Sequence, residues 1–352
     1  MSASSETCLK ALKEMSVIAD MELAASLETY THGDAGRMYD MLRYFMGYLN
    51  EDFSPTTGES GKRFRPSLCL FIADAYGARM QALEAAVAIE LFHNFTLVHD
   101  DVEDRDEYRR NKPTVWKLWG INHAINAGDA QSLLASEWAM RAAWHPDVGP
   151  RISHALSEAF IEVIEGQYLD FELALAAIDS PAVTEETYFK MIEKKSGVLV
   201  RIAAEAAGIA AGKEDERARL REFGVSLGMA YQMADDYRSV WATQVETGKD
   251  THSDIREHKR TLPFLVAYAE ATGPARDRLK ALYSLDRQLT DAEVAEAGTL
   301  IDTTGARAKV GVAVRDYADR ARNAVAGLAL PQETRDILEG IVDMLVPEGR
   351  EA

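Results

Sequence analysis

The segment Leu97 to Trp116, LVHDDVEDRDEYRRNKPTVW, constrains this chain more than any other. Three carboxylates, Asp100, Asp101 and Asp104, close a run of helix-forming residues, and Arg109 and Arg110 follow within a few positions. Residues four apart share a helix face, so Asp100 and Asp104 project together. His93, seven positions before Asp100, returns to that face. Such a stripe on an otherwise apolar helix is costly to bury unless cations neutralise it. Mg²⁺ prefers carboxylate oxygens and holds phosphates at the same time, and arginines pair with phosphate directly. The stretch reads as a site for a magnesium-bound phosphate ester.

A second stretch, Tyr231 to Val240 (YQMADDYRSV), places Asp235 and Asp236 on another helix-compatible segment with little charge before them. Two chemically alike clusters far apart in sequence suggest two walls of one cavity. Helical periodicity runs through the chain, and no alternating strand pattern competes with it. Helices are expected over Ser4–Thr31, Asp34–Asn50, Arg65–Tyr76, Met80–Asp106, Trp116–Ala142 and Gly149–Ala177. Phe53–Gly61 reads as a loop, and Val198–Ile202 fits helix better than strand. Thr184 and Thr290 are candidate N-caps. Asp250–Arg256 should be a loop before a helix carrying Lys259, and the last helix should begin at Gln332.

The formal charge of −18 argues against nucleic acid as a partner. Cys8 and Cys69 lie far apart, which suggests neither a disulfide framework nor a cysteine metal site. Without a signal-like start or a bilayer-length apolar run, the expectation is a cytoplasmic protein with no stable membrane insertion.

With these residues in place, the chain resembles the trans-isoprenyl diphosphate synthases, the polyprenyl synthetase family that includes farnesyl and geranylgeranyl diphosphate synthases. A DDxxD motif stands at Asp100, Asp101 and Asp104. A second stands at Asp235 and Asp236, with Ser239 at its third acidic position. A GKR-x-RP element stands at Gly61, Lys62, Arg63, Arg65 and Pro66. Gly166-Gln167, Lys195-Ser196 and Tyr231-Gln232 match further elements, and GKDTHSDIREHKRTLP covers Gly248 to Pro263. The ordered set spans roughly residues 35 to 345. The resemblance implies an all-α, single-domain isoprenoid synthase fold over 1–352, with helices surrounding a central cavity, usually as a homodimer.

It also implies roles. Mg²⁺, usually three ions, would be held by Asp100, Asp104 and Asp235 and would stabilise the diphosphate leaving an allylic substrate. Asp101, Asp236, Lys195 and Lys259 join that catalytic set, and Arg109 makes a direct contact. Lys62, Arg65, His93 and Arg110 would hold the second substrate, isopentenyl diphosphate, without metal. Ser196, Tyr231 and Gln232 would line the reacting end, and Lys249 adds a substrate contact. In the family the final proton goes to the departing diphosphate, so no dedicated base is required. Ser239 is a poorer Mg²⁺ ligand than a carboxylate and leaves Asp235 as the principal ligand on its wall.

Product length should be set below the first motif. Helix rise puts the fifth residue before Asp100 about 7.5 Å away along the axis. That residue is Phe95, next to the small Thr96. A single aromatic at the fifth place resembles archaeal-type enzymes and implies geranylgeranyl diphosphate, with farnesyl diphosphate second. A class I terpene cyclase would have no use for the second diphosphate pocket. A non-catalytic subunit of a heteromeric synthase tends to lose the aspartates retained here.

Overall fold

The computed structural model describes residues 2–56, 61–242 and 252–346. The observed architecture is the expected all-α one. Helix α1 (Ser5–Glu28) starts where the Ser4 side chain accepts the Thr7 N–H. It is followed by α2 (Gly36–Phe45), α3 (Phe64–Ala75) and α4 (Arg79–Glu103). A small antiparallel hairpin, β1 (Tyr108–Arg109) and β2 (Lys112–Pro113), leads to α5 (Val115–Trp119), α6 (Ile121–Arg141) and α7 (Gly149–Leu175). Then come α8 (Glu185–Ile192), a π-helical turn (Glu193–Gly197), α9 (Val198–Ala210) and α10 (Arg217–Trp241). The remainder is α11 (Ser253–Arg256), α12 (Leu262–Glu270), α13 (Gly273–Tyr283), α14 (Asp291–Thr303), α15 (Ala306–Ala326) and α16 (Gln332–Leu345).

Helix α9 is the axis of the molecule. Every residue from Val198 to Ala210 is buried, as expected of a helix that is apolar on all sides. Its neighbours are α3, α4, α7 and α10. Each fully buried Val, Leu or Ile in this core contributes about 1.5–3 kcal/mol. Two charged residues on α9 are buried with partners. Arg201 makes a two-pronged pair with Glu162 at 2.8 Å and 2.8 Å. Glu205 receives Arg217 at 2.8 Å and Arg221 at 2.6 Å.

Several sequence expectations need correction. The helix expected over Trp116–Ala142 breaks at Gly120, whose φ of +92° lies in the region glycine tolerates. The hairpin at 108–113 was not visible as alternation because each strand has only two residues. Ser253–Arg256 is a helical turn rather than loop. Lys259 follows that turn and precedes α12, so it sits on no helix. The helix expected over Asp34–Asn50 is confined to Gly36–Phe45. The N-caps hold: Thr184 accepts the Thr187 N–H, and Thr290 forms a reciprocal capping box with Glu293.

The GKR element contains a residue that belongs to the scaffold. Arg63, in left-handed conformation at φ 46°, is buried against Asp20 (2.7 Å), Glu90 (3.2 Å) and the Met46 carbonyl (2.7 Å). It ties α1, α4 and the α2–α3 connection together just below the site. Removing one partner of a buried ion pair leaves an uncompensated charge. Arg63→Ala should therefore lower the unfolding free energy by about 3 kcal/mol, read from urea denaturation. An unchanged midpoint would mean that Asn94, 2.9 Å from Glu90, compensates the carboxylate alone.

Candidate active site

The C-terminal turns of α4 carry the first acidic group. Unsatisfied carbonyls make a helix C-terminus electronegative, so carboxylates placed there raise the demand for positive charge. Asp100 is buried and accepts a hydrogen bond from Gln167 Nε2 of α7. Burial, opposed by Lys195, pushes its carboxyl up to about 6, with Asp104 adding repulsion. Asp104, open to solvent at the helix end, is also raised, chiefly by desolvation, while Lys195 and Lys259 oppose the shift. Asp101 is held differently. It is sealed from water, and Arg109 Nε donates to its Oδ1 at 2.5 Å. The charge of Arg109 is thus largely engaged by the protein itself.

The facing wall comes from the π-helical turn and α10. Close backbone approach sets this geometry. A Cβ on Gly166 would lie 2.3 Å from Lys195 N, and one on Gly228 would lie 2.7 Å from Gly197 Cα. With both absent, α7 and α10 press against the turn. Lys195 Nζ reaches Asp170 of α7 at 2.6 Å. Burial disfavours its charge, but Asp100 and Asp170 outweigh this and hold the ammonium protonated. The next residue, Ser196, donates to Gln232 Oε1 at 2.9 Å. Gln232 in turn donates to Asp236 Oδ1 at 3.0 Å, and Tyr188 donates to Asp236 Oδ2.

Asp235, by contrast, is largely exposed, with Arg238 at 3.7 Å. Ser239, at the third position of this motif, donates to Asp254 Oδ2 at 2.5 Å. Lys259 lies 3.8 Å from Asp254 and 3.0 Å from Glu257. Lys259 also acts electrostatically on Asp104 of the first acidic group.

One helical segment further back, α4 faces cations instead. His93 is surrounded by Arg65, Arg110, Arg109 and Arg63, and burial with these charges depresses its imidazole well below the usual range. Its ring is neutral at physiological pH. Arg65 and Arg110 are depressed as well, first by burial. His93 Nδ1 and Arg65 Nε are sealed from water and have no hydrogen-bond partner among the described residues. A buried donor without a partner is expensive, so this cluster fits an anionic occupant. A cleft of about 90 Å³ lined by Gly61, Arg109, Arg110, Lys112 and Thr114 adjoins it. Lys62 is exposed. Tyr231 lies close enough to act on Arg65. A larger depression of about 400 Å³, beside Asp179, Tyr268 and Arg276, contains none of these residues. Lys249 lies outside the described residues.

Phe95 is half-buried and packs edge-on against Phe92 (5.2 Å between centroids) and His99 (4.9 Å). Thr96 is buried, its hydroxyl turned back to the His93 carbonyl at 2.8 Å.

The oxygen-only donor set, with carboxyls raised chiefly by burial, fits a hard divalent cation. Among the described residues no three His, Cys, Asp or Glu side chains form a ready metal cage. Mg²⁺ takes one or two carboxylates and completes its shell with water and phosphate oxygens. Four participants escaped the sequence reading. Gln167 was recorded only as part of a motif. Asp170, three residues on, shares its helix neighbourhood. Asp254 lay inside an expected loop, and Tyr188 looked like any core aromatic.

A family model for polyprenyl synthetase matches residues 47–301. The (2E,6E)-farnesyl diphosphate synthase of Mycobacterium tuberculosis (strain ATCC 25618 / H37Rv) is 36% identical, over 87% of this chain and 86% of its own length. The geranylgeranyl diphosphate synthase of the same strain is 34% identical, over 84% and 82%. A crystal structure of polyprenyl synthetase from Streptomyces coelicolor A3(2) superposes with a TM-score of 0.85 at 31% identity, covering 96% of this chain and 99% of that one.

The buried Asp236 generates a pH prediction. Its carboxyl is pushed up to about 7, first by burial and then by Asp254. A raised folded value means that the native state binds the proton more tightly than the unfolded chain. The stability this contributes is lost as pH rises from about 4 through about 7. The unfolding free energy of Asp236→Asn relative to wild type should therefore improve across that window. Parallel pH profiles in denaturant titrations would show that Asp236 is ionised throughout.

Proposed function

We propose that this chain, which belongs to the polyprenyl synthetase family and is a trans-isoprenyl diphosphate synthase, makes all-trans geranylgeranyl diphosphate. The reaction is a Mg²⁺-dependent head-to-tail condensation of isopentenyl diphosphate with allylic diphosphates. The observation that carries the division of labour is the sorting of charge along α4: carboxylates at Asp100 and Asp104 face Lys195, while His93 faces arginines.

Asp100, Asp104 and Asp235 would hold the divalent ions, three by the family's habit. Bound there, Mg²⁺ supplies charge stabilisation to the departing diphosphate. Lys195 and Lys259 add fixed cationic donors beside the same leaving group, where stabilising developing charge lowers the barrier directly. Asp101 holds Arg109, which also acts electrostatically on both Asp100 and His93 and would contact the departing diphosphate. Lys62, Arg65, His93 and Arg110 bind the diphosphate of isopentenyl diphosphate, and neutral His93 can give or accept one hydrogen bond there. Ser196, Tyr231 and Gln232 line the reacting end, and Asp236 orders them. The allylic C–O bond breaks with its electron pair going to diphosphate. The isopentenyl double bond then forms the new C–C bond, and the proton lost from the adjacent carbon leaves with diphosphate.

Phe95 supports the product assignment. On the family's pattern, a ring at Phe95 would floor the path of the growing chain, while Thr96 offers no second ring. Three residues further along α4, Phe92 stacks on Phe160 at 3.9 Å, which gives the next barrier roughly 4.5 Å deeper by helix rise. Farnesyl diphosphate is the second reading, favoured by the 36% identical relative that makes it.

We also take the chain to act as one domain and as a homodimer. Leu133 and Met140 on α6, and Ile161, Ile164, Tyr168 and Leu175 on α7, are exposed apolar side chains. A second copy of the chain would cover them. No helix among the described residues is long and apolar enough to cross a membrane.

Two experiments test these assignments. Arg65→Ala should raise the KM for isopentenyl diphosphate at least about tenfold, the cost of one charge-assisted contact, with a smaller change for the allylic primer. Asp100→Ala should instead cut kcat by orders of magnitude. A normal KM in Arg65→Ala would remove the arginine pocket as the isopentenyl site. In product analysis by chain length, wild type should give the twenty-carbon product, and Phe95→Ala should add at least one five-carbon unit. An unchanged distribution in the variant would place the floor elsewhere.

A further inference from the structure

We propose that Tyr188 is a positioning residue for prenyl transfer, fixing through Asp236 and Gln232 the direction in which the Ser196 hydroxyl points. This rests on the reading that Ser196 lines the reacting end. Tyr188 is 1% exposed and belongs to no recognised motif. Its hydroxyl donates to Asp236 Oδ2. Burial and the Asp236 charge raise its phenol well above the ordinary value, so the proton stays on tyrosine.

Each later link inherits its polarity from the one before. With one oxygen of Asp236 occupied by Tyr188, the other accepts from Gln232 Nε2 at 3.0 Å. Asp236 Oδ1 accepts there, so the amide nitrogen of Gln232 is the end that faces it. The amide carbonyl is then left facing Ser196, 2.9 Å away. A carbonyl oxygen cannot donate, so the Ser196 hydroxyl must. Its hydrogen is committed to Gln232, and the lone pairs of Oγ remain for whatever stands in front of it. That orientation presents the negative end of the hydroxyl dipole to an allylic cation. The opposite orientation would present the positive end. Both oxygens of Asp236 accept hydrogen bonds within the protein, which assigns it to ordering the reacting end.

Tyr188→Phe removes one hydroxyl and keeps the ring. Folding is checked by circular dichroism, and condensation is measured with isopentenyl and allylic diphosphates. The expected result is a fall in kcat of about tenfold. The KM for isopentenyl diphosphate and the Mg²⁺ concentration at half-maximal rate should stay within about twofold. In a Ser196→Ala background, Tyr188→Phe should cost less than about a further twofold, because the effect passes through Ser196. Fully additive losses would overturn the relay. So would an increased Mg²⁺ requirement, which would make Asp236 a cation ligand. A slow Ser196→Ala beside a normal Tyr188→Phe removes the relay alone. A normal Ser196→Ala removes the underlying reading of the reacting end, and the relay with it. If Tyr188→Phe does not fold, Asp236→Asn carries the same comparison with the same outcomes.

Discussion

The approach of α7 and α10 to the π-helical turn, closer than any side chain would permit, is the constraint on which the cavity depends. Gly166 admits the backbone of Lys195, and Gly228 admits that of Gly197. The π turn inserts its extra residue where these contacts occur, a common device at functional sites. Neighbouring residues on the turn then serve different walls. Lys195 reaches Asp170 on α7, and Ser196 reaches Gln232 on α10. One short segment thereby carries a lysine toward α7 and a hydroxyl toward α10.

A chain with a formal charge of −18 is an unpromising container for two diphosphates. The structure resolves this by segregation along a single helix. Near its C-terminus α4 concentrates carboxylates in an electronegative end, and two lysines from elsewhere partly balance them. Further back, His93 stands among arginines whose own charges are disfavoured by burial. One region carries excess negative charge and the other buried donors. On the proposed assignment, these opposite deficits would sort the two diphosphates. Bulk charge is dominated by solvated residues that take no part in this arrangement.

Much of this was legible before any coordinates. Asp100, Asp104 and His93 follow from helical periodicity, because burial of a polar stripe leaves a periodic trace. The end of Asp101 in a pair with Arg109 leaves none, since that contact crosses a hairpin too short to show alternation. Arg63 is the instructive case. It stands inside a basic element beside Arg65, yet its left-handed backbone turns it into the scaffold. Residue type could not separate the two arginines; backbone conformation does. Ser239 looked like a missing ligand, whereas it is a donor to Asp254 from a turn expected to be irregular. Tyr188 carries no sequence signal because its hydrogen-bond partner, Asp236, lies 48 residues away.

The ends of the chain close this arrangement from outside the region that matches the family model. The Ala3 N–H donates to the Asp336 carbonyl at 2.8 Å, and the Cys8 thiol to that of Ile337 at 3.5 Å. Gly340 leaves room for the Cys8 sulfur, which would lie 2.6 Å from any Cβ there. Helix α1, clasped in this way to α16, also supplies Asp20 to Arg63. A fragment cut to residues 47–301 would keep every motif but lose this clasp and a carboxylate partner of a buried guanidinium. Motif content and packing therefore do not coincide in this protein: the motifs lie in the middle of the chain, while both ends pack together around the helix that supplies Asp20 to Arg63.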